Sequence, residues 1–216
     1  MTIIAPTITT NDPAVYARRL EDFLTFASRI QIDITDGQFA PSQTINLNQV
    51  YWPPADKREC KIDLHLMLQR PIDWLDQIVA VVPDKVILHA ESDDAGRMLP
   101  RIYEHLQRFG MQVGVALLPE TQPADVADII RVVDSVLIFG GHLGYQGGVA
   151  DLTQLGKIPA IQQINSTVTI EWDGGANLSN VSQIAAAGVD QINIGSAISG
   201  ASDPAAAYRQ LVEVVS

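Results

Sequence analysis

Asp33, His65 and Asp173 are ionisable side chains embedded in otherwise apolar stretches. Asp33 lies in Ile30-Gln31-Ile32-Asp33-Ile34-Thr35-Asp36-Gly37, His65 in Leu64-His65-Leu66-Met67, and Asp173 in Glu171-Trp172-Asp173-Gly174-Gly175. A lone carboxylate is costly to bury unless it is paired or bound to metal. Divalent ions accept carboxylate and imidazole ligands together, so these three residues read as one metal site if the fold brings them to a common rim. The competing reading is that each only hydrogen-bonds its neighbours. Gln31 and Asp33, two residues apart, share one face of a strand, as do His65 and Met67. Of the other histidines, His89 at a strand end reads as a satisfied structural residue. His105, among Arg101, Glu104 and Arg108, reads as solvated, and His142 sits in a glycine-rich loop.

The glycines suggest a second kind of site. Gly174-Gly175-Ala176-Asn177 precedes a helix predicted over Leu178 to Ala187, and Gly195-Ser196 precedes a weak turn. Backbone N–H groups there are free to face an anion, although ordinary turn and cap glycines would look the same. Gly144-Tyr145-Gln146-Gly147-Gly148 reads as a lid, a further phosphate wall, or simply a flexible loop.

The elements that must position these groups follow from periodicity. Short runs rich in β-branched and apolar residues recur at Thr2 to Ile8, Ile30 to Ile34, Lys61 to Leu68, Lys85 to His89, Gln112 to Leu118, Ser135 to Phe139, Thr167 to Trp172 and Asp190 to Gly195. Between them lie segments with helical spacing, such as Tyr16, Leu20, Phe23, Leu24 and Ala27, or Ile102, Leu106 and Phe109. Others carry helix-start signals: Arg70-Pro71 before Ile72 to Val82, and Asp203-Pro204 before the last helix. Phe23, Trp74 and Tyr103 read as packing on the outside of a strand layer. Asn46 to Asp56 reads as a long loop with a short helix. Eight units in 216 residues leave 27 residues each, which fits a single (β/α)8 barrel over residues 1–216 with its chemistry at the C-terminal strand ends. A doubly wound sheet fits less well, because the Gly140 run lacks dinucleotide-type glycine spacing.

Composition narrows the function classes. Apolar residues make up 47% and charged residues 18% of the chain, so it is not a disordered sequence. With 14 Lys plus Arg against 25 Asp plus Glu, the net charge of −11 argues against a nucleic-acid partner. An anionic ligand must therefore be held by local donors. Cys60 is the single cysteine, which leaves no internal disulfide and suits a reducing cytoplasm. No run of 18 uncharged apolar residues suggests a membrane partner.

The motifs, taken in order, resemble the ribulose-phosphate 3-epimerase family from Ile4 to Ile198. They are Ile4-Ala5-Pro6, Ile32-Asp33 with Asp36-Gly37-x-Phe39-x-Pro41, Asp63-Leu64-His65-Leu66-Met67 with Pro71, and Leu88-His89-Ala90-Glu91. Gly114-Val115-Ala116-Leu117 with Pro119 and Thr121, Ile170-Glu171-x-Asp173-Gly174-Gly175-x-Asn177, and Gly195-Ser196-Ala197-Ile198 complete the set. The resemblance implies a (β/α)8 barrel that inverts C3 of a pentulose 5-phosphate through a metal-held cis-enediolate. Asp33 and Asp173 would exchange protons on opposite faces of C3. One divalent ion (Zn, Fe, Mn or Co) would be held by Gln31, Asp33, His65 and Asp173. Thr7, Met67, Gly144, Gly147, Gly174, Gly175, Gly195 and Ser196 would contact a phosphorylated ketose, and a homo-oligomer is implied.

The departures from the family pattern fall where chemistry would occur. Gln31 replaces a ligand histidine, Thr7 a serine, and Thr35 and Phe139 two methionines. Gln38 replaces a histidine, and Ser42 and Leu118 asparagines, while Gly140 to Gly148 diverges. These changes would permit another ketose, such as a hexulose 6-phosphate. A non-catalytic sugar-phosphate binder that lost its metal is a further alternative, against which both aspartates stand.

Overall fold

The computed structural model describes residues 2–145 and 147–216. Among them, the β-branched runs form strands β1 (Ile3–Ile8), β2 (Arg29–Thr35), β3 (Lys61–Met67), β4 (Lys85–His89), β5 (Gln112–Leu117), β6 (Ser135–Phe139), β7 (Thr169–Asp173) and β8 (Gln191–Ile194). All pair in parallel with their sequence neighbours, and β8 pairs with β1 to close the barrel. Helices α1 (Pro13–Leu24), α2 (Leu75–Val81), α3 (Ala95–Gln107), α4 (Ala127–Ile130), α5 (Ile158–Ile164), α6 (Val181–Ala186), α7 (Ser196–Ser199) and α8 (Pro204–Val215) lie between and after the strands, except that β2 is followed only by short 3-10 turns and β8 by both α7 and α8. No helix among the described residues is long and apolar enough to cross a membrane.

The strand pattern shows why the barrel closes. Residues at alternate positions, such as Ile30, Ile32 and Ile34 or Ile62, Leu64 and Leu66, are buried in the large apolar layer shared with the helices. Phe23 is buried there, and Trp74 and Tyr103 pack against it. The intervening positions face the barrel interior, where Ile87, Ala116, Leu137 and Phe139 form a small separate cluster and the remaining space is polar. Asp12 caps α1 by accepting from the Ala14 and Val15 amides at 2.8 and 3.4 Å, and Asp203 caps α8 by accepting from Ala206 at 2.9 Å.

Three helix boundaries differ from expectation. The segment from Ile72 is split into a 3-10 turn, Pro71–Trp74, followed by α2, which ends at Val82 in left-handed backbone (φ +50°). The helix expected from Leu178 starts only at Val181, because the Asn177 side chain accepts from the Ser179 amide and hydroxyl, holding a local turn instead. Phe109 lies beyond the end of α3 and is half exposed, since Gly110 at φ +75° carries the chain away from the helix. The Asn46 to Asp56 loop contains the short turns Leu47–Gln49 and Ala55–Lys57.

The floor of the barrel is a closed ionic network. Lys85 Nζ lies 2.7 Å from Glu171 and 3.1 Å from Asp63, while Arg29 bonds Asp63 at 2.6 Å and the Gln191 amide donates to Asp63 at 3.0 Å. Burial alone would lower the Lys85 pKa, but the facing carboxylates of Glu171 and Asp63 outweigh it and hold the ammonium charged above its usual range. Removing one member of such a group strands the others. Lys85→Met should cost about 3–5 kcal/mol in urea unfolding, and an unchanged midpoint and slope would contradict this view of the floor.

Candidate active site

At the opposite, C-terminal end, the register sets Asp33 beside His65 on β2 and β3, and Asp173 between Phe139 and Asn193 on β6 and β8. Asp33 and Asp173 therefore enter the mouth from strands three positions apart around the barrel. The Gln31 amide bridges them, Nε2 donating to Asp33 Oδ1 at 3.0 Å and to Asp173 Oδ2 at 2.5 Å. His65 Nδ1 lies 3.2 Å from Asp33 Oδ1 and 3.6 Å from Asp173 Oδ2. The Thr9 hydroxyl donates to the other Asp33 oxygen at 2.5 Å. Gln31 and His65 are fully buried and Asp33 nearly so.

Burial pushes the Asp173 pKa above the usual carboxylate value and the nearby Asp33 charge adds to the push, opposed by His65 and Gln31. Burial would lower His65, but the facing carboxylates of Asp173 and Asp33 outweigh it and raise it to about 9. Its neighbour His89 is driven by burial down to about 4, despite the Glu91 carboxylate.

These residues fit a divalent cation. Asp33, His65 and Asp173 each offer a ligand atom, all lying within 4.8 Å of one another. Gln31 Oε1 is buried with no hydrogen-bond partner. A half-turn of that amide would exchange its nitrogen for its oxygen, so the side chain that bridges the two carboxylates is also able to turn an oxygen toward a cation.

A narrow cleft opens above this group. Its lining includes Thr7, Met67, Gly144, Gly147, Gly174, Gly175, Gly195 and Ser196 together with Asp33, His65 and Asp173, while Gln31 lies beneath, bonded to both aspartates. Gln146 lies outside the described residues. Of the substituted family positions, Phe139 lines the cleft, whereas the Thr35 hydroxyl donates to the Ser42 carbonyl at 2.8 Å and is absorbed by a loop. His142 is exposed beside Tyr145. Sequence reasoning passed over Asn193, a buried lining residue whose position two before Gly195 placed it on the interior face. It also passed over Thr9, for which the sequence carried no signal.

Gly174 and Gly175 are required first by backbone geometry. At φ +113° and +68°, they lie where a Cβ would come 2.1 Å from the Gly141 nitrogen and 2.3 Å from the Ala150 nitrogen, respectively. The loops after β6 and β7 thus cross in contact. Gly147 in turn approaches Ser196, a Cβ there falling 3.6 Å from its hydroxyl, which joins the loop after β8 to the same wall.

With this geometry in place, similarity to known proteins becomes interpretable. Residues 3–199 match the Ribulose-phosphate 3 epimerase family. The chain belongs to that family. This epimerase is 30% identical over 215 residues to the ribulose-phosphate 3-epimerase of Mycobacterium leprae, covering 97% of this chain and 93% of that one. It is 31% identical to the Mycobacterium bovis enzyme of the same name, covering 97% and 91%. Among solved structures, 3-hexulose-6-phosphate synthase from Salmonella typhimurium superposes with a TM-score of 0.77 over 99% of this chain and 98% of that one, at 14% identity, which reflects a shared fold.

Gly174→Ala and Gly175→Ala should each lower stability by about 1–3 kcal/mol or more, because strained backbone and a backbone clash coincide. That corresponds to a fall of roughly 2–4 °C in thermal midpoint per kcal/mol. Gly156→Ala, where a Cβ meets nothing within 4 Å, should leave the midpoint near that of the wild type. Equal effects at all three positions would contradict the crossing.

Proposed function

We propose that the chain, acting as one barrel domain, inverts C3 of a ketose phosphate, interconverting D-ribulose 5-phosphate and D-xylulose 5-phosphate with the help of one divalent ion. The observation that carries this reading is the pair of carboxylates, Asp33 and Asp173, brought from different sides of the barrel onto one Gln31 amide and one His65 ring. A binding protein for an anionic sugar gains nothing from two opposed acids, whereas inversion at carbon needs a proton acceptor on one face and a donor on the other.

Gln31, Asp33, His65 and Asp173 would hold the ion, Zn, Fe, Mn or Co. When bound, it supplies a Lewis acid that stabilises negative charge developing on the substrate oxygens. Asp33 and Asp173 do the proton work: one takes the C3 proton as the other returns one from the opposite face, and their roles reverse with the direction of reaction. Met67 and Phe139 line the cleft with apolar surface beside the two acids. The phosphate is assigned to the wall formed by Gly144, Gly147, Gly174, Gly175, Gly195 and Ser196, with Thr7 facing the sugar. Backbone N–H groups would bind it there, because no Lys or Arg lines the cleft among the described residues.

In deuterated water the protein should exchange the C3 hydrogen of D-ribulose 5-phosphate as it forms the epimer. Asp33→Asn and Asp173→Asn should each abolish inversion, by more than the ~10²–10⁴-fold typical of acid–base help if the ion is also lost. Gln31→His should tighten zinc or iron binding and raise activity. Exchange with hexulose 6-phosphates alone would move the assignment to that substrate. No stoichiometric metal and no exchange with either sugar class, in both wild type and Gln31→His, would overturn it.

A further inference from the structure

His65 has a second contact, on the side away from the aspartates. Its Nε2 lies 2.9 Å from Nε2 of His89, the last residue of β4. His89 Nδ1 lies 3.3 Å from Glu91 Oε2. The other Glu91 oxygen accepts from the Leu118 amide at 2.9 Å and from the Thr121 hydroxyl, both beyond the end of β5. Both imidazole rings are fully buried, and Phe39 packs against His89 at 4.7 Å between ring centroids, with Phe139 at 6.2 Å. The two Nε2 atoms therefore have one another as partners.

We propose that Glu91 and His89 are positioning residues that keep a hydrogen on His65 Nε2 and so make Nδ1 the nitrogen that His65 can offer to a cation between Asp33 and Asp173. A carboxylate gripped by an amide and a hydroxyl can only accept from the imidazole, so His89 carries its hydrogen on Nδ1. Its Nε2 is then a bare lone pair. A hydrogen bond between two ring nitrogens 2.9 Å apart needs one hydrogen, and only His65 Nε2 can supply it. The nitrogen of His65 left facing the carboxylates is Nδ1, at 3.2 Å from Asp33 and 3.6 Å from Asp173. Orientation of a ligating imidazole through its other nitrogen is a general device in metal sites. Here it passes through a second imidazole to a carboxylate fixed by the neighbouring strand's loop. The hydrogen-bond order stands on these contacts alone, while its effect on ion affinity rests on the metal-assisted reading of the site.

The test is two-bond 1H–15N correlation on histidine-labelled protein, metal-free and zinc-loaded. With four histidines in the chain, His105→Gln and His142→Gln leave the pair of interest unambiguous. His89 is expected to carry its hydrogen on Nδ1 in both states, and zinc-loaded His65 to carry its hydrogen on Nε2. His89→Gln retains an acceptor for His65 and should keep zinc affinity close to wild type. His89→Leu removes the acceptor and should weaken zinc binding by about 10–100-fold. A hydrogen on Nε2 of His89 in the wild type, in either state, overturns the relay whether or not the variants fold. Equal weakening by Gln and Leu also overturns it, since lost packing would then suffice. If the wild type takes up no zinc, the metal reading fails, and the metal-free spectrum still decides the relay.

Discussion

The barrel interior must hold four carboxylates, three buried and Asp173 half-buried, and how each pair is compensated decides what the two ends of the molecule can do. Buried charge is tolerated only where partners lie within hydrogen-bonding reach. At the floor, Asp63 and Glu171 face Lys85 and Arg29. Those cations are permanent, so the floor is closed on itself. At the mouth, Asp33 and Asp173 face an amide and an imidazole. Neither partner is a fixed charge, and this end is left able to accept a cation or a proton. The asymmetry arises from which residue types the strands present two positions apart, Asp63 then His65 on β3 and Glu171 then Asp173 on β7.

That arrangement also explains how much was legible in the sequence. The strands were legible because their outward residues, Val86 and Leu88 or Val136 and Ile138, form apolar runs whatever lies inside. The convergence of Asp33, His65 and Asp173 was legible because polar residues at the ends of parallel strands share one rim. The floor escaped notice: Lys85 and Glu171 lie 86 residues apart, each at an ordinary-looking place in a strand, and only closure of the barrel sets them face to face. Helix ends at Val181 and Gln107 moved for local reasons, an Asn177 turn and a left-handed Gly110, that compete with periodicity inside a few residues.

His89 shows the limit more sharply. Read alone, it is a buried histidine with its hydrogen bonds satisfied, and that description still holds. Its function lies in the identity of the partner, since a nitrogen satisfied by a site imidazole differs in consequence from one satisfied by a carbonyl. Gly174 and Gly175 carry the converse lesson: residues that suggested an anion cradle are demanded first by a loop crossing at φ +113° and +68°. That crossing is what builds the wall in which donors could face a phosphate.

Gln31 joins these threads, because its amide can serve either condition of the mouth. The most direct test is anomalous diffraction from crystals of the wild-type protein grown with equimolar manganese or zinc. The account predicts one strong peak bounded by Asp33, His65 and Asp173, with the oxygen of the Gln31 amide turned toward it. No peak there at full supply, with Gln31 still bridging the two carboxylates through its nitrogen, would contradict it.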